Sequence, residues 1–227
     1  MDRHPVMPDA GYSIHRDVFT GAEMHVLLRA LETADLARSR AGARHLLGLP
    51  DVASIAMDPR LLALARPYVG GRATPFRATL FDKSQAANWL VAWHQDLALP
   101  LCARRDDPAW GPWSTKGGVL YAVAPAAALE HVIALRVHLD DSTADNGPLR
   151  VLPQTHGRGV LEDAEVQRLA SRIAPVDCVC PAGGVVALRP LTVHASSKAA
   201  GARPRRVLHI EYAASLDLGS GLRLAKA

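Results

Sequence analysis

The sequence predicts a mainly β protein whose core is a jelly roll or barrel, with α-helices packed outside it. Three observations predict this fold class. Apolar residues recur at helical spacing in the first third of the chain, strand-like alternation begins near residue 73, and short runs separated by Gly, Pro and Asn turns then follow one another. We expect one domain over residues 1–227, with mostly helical support in residues 1–72 and the β core in residues 73–214.

Helix signals are specific in the N-terminal part. Thr20 and Glu23 form a capping-box pattern, in which each side chain bonds the backbone N–H of the other. Asp58 and Pro59 mark the start of a second helix, because proline is well tolerated at the first helical position, and we expect this helix to end near Gly70. The histidines of this region, which we expect to be solvated, are His4, His15, His25 and His45.

Strand signals dominate the rest of the chain. The predicted strands cover residues 76–81, 89–94, 132–139, 149–152, 176–180, 185–188 and 207–213. Residues 162–171 are expected to form a short helix. Residues 104–118 are predicted to be a loop, in which Trp110 and Trp113 serve either as a lid near a site or as packing for the loop.

Composition and charge exclude several classes of protein. Of the 227 residues, 49% are hydrophobic and 21% charged, as in soluble globular domains. No apolar run approaches the roughly 20 residues of a membrane-spanning helix, and no signal-peptide-like segment follows Met1. The net charge of +4 is scattered and aromatic residues make up only 5%, so we expect no nucleic-acid partner. Three cysteines without a Cys-x2-Cys pair indicate a reducing, cytoplasmic setting and no zinc site.

A His-x-Asp pair is the first chemical signal. His94 and Asp96 end a predicted strand, and residues two apart on a strand point to the same face. An imidazole and a carboxylate, completed by a second histidine, form the facial triad that binds Fe(II) and leaves coordination positions open. Alone, this pair is weak evidence, because a polar strand end gives the same pattern.

The second histidine must come from a distant strand. The candidates are His131, His138, His156, His194 and His209. His138 is followed by Asp140 and a turn, so we expect that pair at a solvent edge. His194 lies between a short apolar run and small residues that leave room for a metal. Eleven residues later, Arg205 opens a strand that we expect to pair beside it, where its guanidinium could bind a carboxylate through two hydrogen bonds.

At this point residues 77–214 resemble the phytanoyl-CoA dioxygenase-like Fe(II)/2-oxoglutarate oxygenases. The segments that carry the resemblance, in the order of that family, are residues 79–83, 88–89, 93–97, 135–141, 146–149, 151–156, 194–196 and 204–206. The resemblance implies a double-stranded β-helix core, which is the cupin-like form of the jelly roll. One position departs from the family pattern: Gln154 stands where the family's loop usually has Gly.

The resemblance also implies site residues. The iron ligands map onto His94, Asp96 and His194. The arginine that binds the far carboxylate of 2-oxoglutarate maps onto Arg205, with Arg206 as the competing choice. Further residues that the resemblance places at the 2-oxoglutarate pocket are Ser196, Thr79 and Arg136; Asn88, Trp89 and Gln95 flank the ligand strand and are candidate substrate contacts.

The implied function is a dioxygenase that uses Fe(II), 2-oxoglutarate and O2 to oxidise a small molecule, releasing succinate and CO2. Halogenating relatives have a small residue in place of the ligand Asp96, so the resemblance implies hydroxylation or desaturation here. Two alternatives are a non-catalytic cupin-like module that binds a metal or small molecule, and a metalloenzyme of this fold that works without 2-oxoglutarate. The complete ligand set together with Arg205 argues against both.

Overall fold

The structure, a computed structural model, describes residues 10–39, 41–84 and 87–227. The strands are β1 (Tyr12–His15), β2 (Arg38–Ser39), β3 (Gly42–Arg44), β4 (Thr74–Lys83), β5 (Val91–His94), β6 (Ala98–Leu101), β7 (Trp113–Lys116), β8 (Val119–Val123), β9 (Val132–His138), β10 (Leu149–Val151), β11 (Val176–Cys178), β12 (Val185–Leu188), β13 (His194–Ser196), β14 (Arg205–Ala213), β15 (Asp217–Gly219) and β16 (Leu222–Arg223). The helices are α1 (Gly21–Thr33), α2 (Pro50–Ala56), α3 (Pro59–Val69), α4 (Ala126–Leu129) and α5 (Asp163–Ala170).

Two antiparallel sheets face each other and form the core. The large sheet has the strand order β1-β12-β9-β14-β4-β3-β2, and the small sheet has the order β11-β10-β13-β5. A third sheet, β6-β8-β7, lies at one end, and β15 pairs with β16. Apolar residues of both facing sheets pack in one buried cluster between them. The predicted mainly β fold with a jelly-roll core and flanking helices is therefore confirmed.

Helices α1, α2 and α3 cover the outer face of the large sheet. Their buried residues share one cluster with apolar residues of β4, β9 and β14. The capping box of Thr20 and Glu23 is present, and α3 ends at Gly70 with a left-handed φ of 73°. The part of the chain that the structure describes holds no helix long and apolar enough to cross a membrane.

Two sequence-based expectations need correction. Residues 1–72 were expected to be mostly helical, yet β1, β2 and β3 join the large sheet at its two edges. Residues 104–118 were expected to be a loop, yet β7 lies within them and pairs with β8. All four strands are short and gain their stability from distant pairing partners, so local periodicity does not reveal them.

The inner face of the large sheet is unusually polar. Because side chains alternate along a strand, β14 turns Arg205, His209 and Glu211 inward. The same row continues onto β4 and β9, where Thr79 and Arg136 lie opposite His209 on either side. This polar wall faces the small sheet across the core.

His138 belongs to this wall, and the expectation that it lies at a solvent edge is wrong. It pairs with Val207 of β14, and only 1% of its surface is exposed. The turn that follows at Asp140 is indeed near the surface, but the pairing of β9 with β14 covers the histidine itself.

Candidate metal and anion site

Three predicted ligands meet on the small sheet. His94 ends β5 and His194 begins β13, and these two residues lie opposite each other in the antiparallel pairing. Asp96 follows two residues after His94, and its backbone N–H donates to the carbonyl of Pro190 at 3.0 Å. One ligand atom from each of the three side chains lies within 4.8 Å of the others. The structure thus brings two imidazoles and one carboxylate to a single point.

Backbone hydrogen bonds orient both imidazoles. His94 Nδ1 lies 2.8 Å from the carbonyl oxygen of Ala92, and His194 Nδ1 lies 2.9 Å from that of Thr192. In this arrangement Nδ1 carries the proton and Nε2 keeps a lone pair, which is the form that binds a metal. The two Nε2 atoms lie 3.5 and 3.4 Å from the carboxylate oxygens of Asp96.

The electrostatics favour an ionised carboxylate. Burial opposes the charge of Asp96, but His194 and His94 hold the pKa of its carboxyl well below the usual value. Burial lowers the pKa of His194, which keeps that imidazole neutral. For His94, burial acts downward as well, but the hydrogen bond to Asp96 outweighs it and the pKa is raised.

Two cavities meet at this triad. The smaller has a volume of about 100 Å³ and runs between the sheets toward Arg205. The larger has a volume of about 360 Å³ and lies toward the third sheet. Phe81, His94 and Asp96 line both cavities and separate them. A ligand in either cavity would therefore reach the same point.

Arg205 closes the smaller cavity. Its side chain is buried, its Nη2 donates to Ser196 Oγ at 3.4 Å, and its Nε and Nη1 have no hydrogen-bond partner among the described residues. Burial and the nearby Arg136 lower the pKa of Arg205 to about 9. Arg205 lies on the sheet that faces His194, so the expected pairing of their two strands is wrong: β14 pairs with β4 and β9, whereas β13 pairs with β10 and β5.

Arg206 points the other way. Its guanidinium pairs with Asp140 at 2.7 Å and with Glu32 of α1 at 2.7 Å, on the helix-covered side of the large sheet. Neighbouring residues on a strand face opposite sides, so only one of the two arginines can reach the cavity. The geometry selects Arg205 for the inner position.

Lys83 is a buried cation that sequence reasoning missed. It lies opposite Arg205 in the β4–β14 pairing, and its Nζ donates to Ser196 Oγ at 2.8 Å. Ser196 Oγ in turn donates to the carbonyl of Gly147 at 2.9 Å. Burial and the charge of Arg205 lower the pKa of Lys83 to about 8. Only the strand register reveals this residue, because Lys83 follows an alternating run and resembles a solvated strand end.

Unsatisfied polar atoms collect at this end of the smaller cavity. Within the part of the chain that the structure describes, His138 has no hydrogen-bond partner at either ring nitrogen, and Arg136 has none at Nε. Burial, with help from Arg136 and Arg205, lowers the pKa of His138 to about 3, so its imidazole is neutral. Buried donors without partners are costly. Arg136 and Arg205 both line the smaller cavity, and their unpaired donors indicate a place there for an anionic ligand.

The remaining predicted residues differ in position. Arg136 and Trp89 line the smaller cavity, and Thr79 lines the larger one. The Asn88 amide is bound to the backbone of Ala199 in both directions, each at 2.8 Å.

Gln95 ties three backbone segments together. Its Nε2 donates to the carbonyls of Gly159 at 2.9 Å and Leu191 at 2.7 Å, and its Oε1 accepts from the N–H of Leu161 at 2.8 Å. Gln95 is among the residues that line the larger cavity, but its side-chain amide is fully engaged with the backbone.

Two of the N-terminal histidines are not solvated as expected. His15 is half-buried and hydrogen-bonded within β1, and His45 Nε2 lies 3.0 Å from the hydroxyl of Tyr121. Both lie in or beside strands that sequence analysis did not predict. His25 is exposed, as expected, and His4 lies outside the described residues.

Two further positions resolve open questions. Trp110 is buried in an apolar cluster with β6 residues such as Leu99, which supports packing over a lid. Gln154 has a left-handed φ of 65°, the backbone conformation for which the family's glycine is suited.

Comparisons with known proteins agree with the geometry. A family model described as "Phytanoyl-CoA dioxygenase" matches residues 8–207. The L-proline trans-4-hydroxylase of Streptomyces griseoviridis is 28% identical over 182 residues, which is 68% of this chain; the chain spans 59% of that relative's length. The crystal structure of AviO1 from Streptomyces viridochromogenes Tue57 shares the fold, with 22% identity, a TM-score of 0.66 and coverage of 93% and 91% of the two chains. EctD from S. alaskensis, solved with 2-oxoglutarate and 5-hydroxyectoine, has 21% identity, a TM-score of 0.68 and coverage of 91% and 73%.

Proposed function

The chain belongs to the phytanoyl-CoA dioxygenase family, and from this premise we propose that it is an Fe(II)- and 2-oxoglutarate-dependent oxygenase. Its substrate is a small molecule, which it hydroxylates or otherwise oxidises while 2-oxoglutarate and O2 are converted to succinate and CO2. The observation that carries the proposal is the pairing of a His-Asp-His triad with a buried, incompletely bonded arginine across one small cavity.

The triad fits Fe(II). His94, Asp96 and His194 offer two neutral nitrogens and one carboxylate, a donor set typical of non-haem Fe(II) oxygenases. The bonds from Nδ1 to backbone carbonyls hold both rings with Nε2 toward the shared point. When bound, Fe(II) would activate O2, and 2-oxoglutarate would supply two of the four electrons that reduce O2 as it is converted to succinate and CO2; the substrate would supply the other two.

The smaller cavity fits 2-oxoglutarate. The planar guanidinium of Arg205 suits a carboxylate, and its Nε and Nη1 have no partner among the described residues. Ser196 accepts from Arg205 and Lys83 and thereby orients the two cations at that end. Arg136 also lines this cavity and adds a further positive charge.

The larger cavity is the place for the substrate. It reaches the triad from the opposite side of Phe81, so a small molecule there could present a C–H bond to the metal while 2-oxoglutarate occupies the smaller cavity. A volume of about 360 Å³ is within the range of small-molecule sites.

The cysteines of the described chain are unpaired, consistent with the cytoplasmic compartment that we propose.

The test is succinate formation by the purified protein with Fe(II), ascorbate and 2-oxoglutarate. L-proline is the first substrate to assay, since the S. griseoviridis relative is named for its hydroxylation. We expect succinate together with a product 16 mass units heavier. Metal binding without succinate across a broad set of small molecules would favour the non-catalytic binding module instead.

The carboxylate of Asp96 also predicts the type of product. As a ligand it would fill the coordination position that a halogenase leaves open, so we expect no chlorination in excess chloride. Product masses from wild type in chloride buffer check this expectation. A chlorinated product, or turnover without 2-oxoglutarate, would contradict the proposed function.

A further inference from the structure

We propose that the larger cavity binds its substrate through an oxyanion, a carboxylate or a phosphate, held at the cavity mouth between Arg44 and Lys116. This inference rests on the proposed function and adds the chemical class of the substrate. Neither residue belongs to the predicted metal or 2-oxoglutarate set.

Arg44 and Lys116 reach the cavity from two different sheets. Arg44 ends β3 and lies opposite Thr79 of β4, so both side chains are on the cavity side of the large sheet. Lys116 ends β7 in the third sheet, and its Nζ lies 5.2 Å from the ring centre of Tyr121, a residue of the cavity wall. Two walls of the cavity thus each contribute one cation.

The contact between these walls is direct. The β7–β8 turn packs on the residue after Arg44: an added Cβ on Gly117 would lie 3.1 Å from His45 Cε1. His45 also reaches the Tyr121 hydroxyl at 3.0 Å. The two cations therefore flank one opening, and a small anion can contact both.

The charges of this cavity are unbalanced. Arg77 also lines it, but its guanidinium is paired with Glu211 and donates to the Ala98 carbonyl. Asp96 is held between the two imidazoles of the triad. Within residues 10–39, 41–84 and 87–227, Arg44 and Lys116 make no ion pair, and both are exposed.

Neighbouring groups respond to this positive field. The pKa of Lys116 is lowered, first by partial burial and then by Arg44 and Arg77, while Asp96 acts in the opposite direction. The pKa of His45 is lowered by burial, Arg44 and Arg77, in that order. Lys116 on β7 and His45, the residue after β3, thus both respond to Arg44 and Arg77, and an arriving oxyanion would offset that positive charge.

The proposed substrate-anion site is separate from the proposed 2-oxoglutarate site. Arg205 lies at the end of the smaller cavity, while Arg44 and Lys116 lie on the larger cavity. A substrate anchored at the mouth by its anion would extend inward, so its uncharged part would face the triad. The anion then sets which carbon is oxidised, as well as affinity.

The experiment compares each acid with its neutral counterpart. The 2-oxoglutarate-loaded protein, with Ni(II) in place of Fe(II), is titrated with L-proline and L-prolinamide, with other small carboxylic acids and their amides, and with phosphate monoesters and their parent alcohols. Binding is followed by protein-observed NMR. We expect the best anions to bind about 100-fold more tightly than their neutral partners, because each of the two cations contributes about 10-fold. The carboxylate and phosphate arms identify which oxyanion is preferred.

Variants locate the effect. Arg44→Ala and Lys116→Ala should each weaken binding of the best anion about 10-fold, and the double variant about 100-fold, with 2-oxoglutarate affinity unchanged. Arg29→Ala, which removes an exposed arginine of α1, is the matched control and should change neither. Equal binding of acids and neutral partners, or an anion preference that survives in the double variant, would overturn the inference.

Iron-loaded protein separates this inference from the proposed function. If no sample forms succinate while anion binding still depends on Arg44 and Lys116, the oxygenase function is wrong and the anion site stands. If succinate forms with neutral substrates as readily as with acids, the function stands and the anion site is wrong.

Discussion

The two faces of strand β14 are built for different purposes. The outward residues Leu208, Ile210 and Tyr212 are fully buried against the N-terminal helices. The inward residues include Arg205 and His209, which line cavities at the His-Asp-His triad. A two-residue period thus separates the apolar contacts that stabilise the fold from the polar groups that line the cavities. Changes on one face should leave the property of the other largely intact.

The largest expected effect comes from removing a proposed metal ligand. His194→Ala should lower succinate formation at least about 1000-fold, because one of the three proposed protein ligands, which faces the cavities from β13, would be lost. Leu208→Ala, on the outward face of β14, should instead lower the free energy of unfolding by about 3 kcal/mol through an unfilled cavity. Assays of metal content, succinate and urea unfolding on both variants provide the measurement.

One outcome would contradict this separation between ligand-binding and fold-stabilising residues. If His194→Ala destabilises the protein as much as Leu208→Ala does, the residues that line the cavities between the sheets also stabilise the fold, and the separation is wrong. Folded Leu208→Ala protein should keep its KM for 2-oxoglutarate.

Adjacent arginines give the next comparison. Arg205→Lys should raise KM for 2-oxoglutarate about 30- to 150-fold, because lysine cannot reproduce the planar pair of donors. Arg206→Ala removes contacts to Asp140 and Glu32 on the other face and should leave that KM within about twofold. Steady-state kinetics and Fe(II) titration distinguish loss of co-substrate from loss of metal. The reverse outcome would mean that the register of β14 is shifted by one residue.

The pH dependence of the free energy of unfolding tests how burying His138 on the inner face of the large sheet affects stability. The folded protein holds its imidazole neutral, with a pKa of about 3, whereas the unfolded chain takes up a proton near pH 6.5. Its contribution to stability is therefore complete above pH 6.5 and is lost as the pH falls toward 3. Between pH 6.5 and 5 the loss should approach about 2 kcal/mol.

The measurement for His138 is urea unfolding of wild type and His138→Leu at both pH values. Leucine cannot titrate, so the variant should lose about 2 kcal/mol less than wild type over this interval. Equal losses would show that His138 is protonated in the folded protein.

The smallest effect concerns backbone strain away from both faces. Gln154 has a φ of 65°, and its backbone N–H donates to the Ala10 carbonyl at 2.9 Å. Gln154→Gly should stabilise the fold by roughly 0.5–1 kcal/mol, because glycine adopts this conformation without a Cβ clash. Thermal unfolding checks the sign, and activity should not change. A lower melting temperature would mean that side-chain contacts outweigh the strain.

The features of the fold and of the candidate site that could be predicted are those determined by residues close together in the sequence. Alternation identifies the strand that carries Arg205, and the two-residue spacing of His94 and Asp96 places both on one face. The capping box of Thr20 depends only on residues three apart. These features need no knowledge of distant pairing.

Features set by distant pairing were missed or mistaken. Arg44 lies in a strand of three residues that forms only against β4, so no periodicity marks it. Lys83 and His138 resemble solvated strand ends in the sequence, and only the register with β14 buries them. The sheet on which Arg205 lies relative to His194 likewise follows from topology, which a single sequence does not contain.

The hydrogen bonds of Gln95 determine at which stage the segments of the proposed metal site lose their conformational entropy: during folding and not on metal binding. Gln95 stands between His94 and Asp96, and one of its three hydrogen bonds holds Leu191, three residues before His194. These bonds form when the chain folds, so the segments that carry all three ligands lose their conformational freedom at that stage. Metal binding then requires little further ordering of the chain. The free energy of the metal–ligand bonds therefore contributes to affinity and is not offset by the cost of ordering the loops.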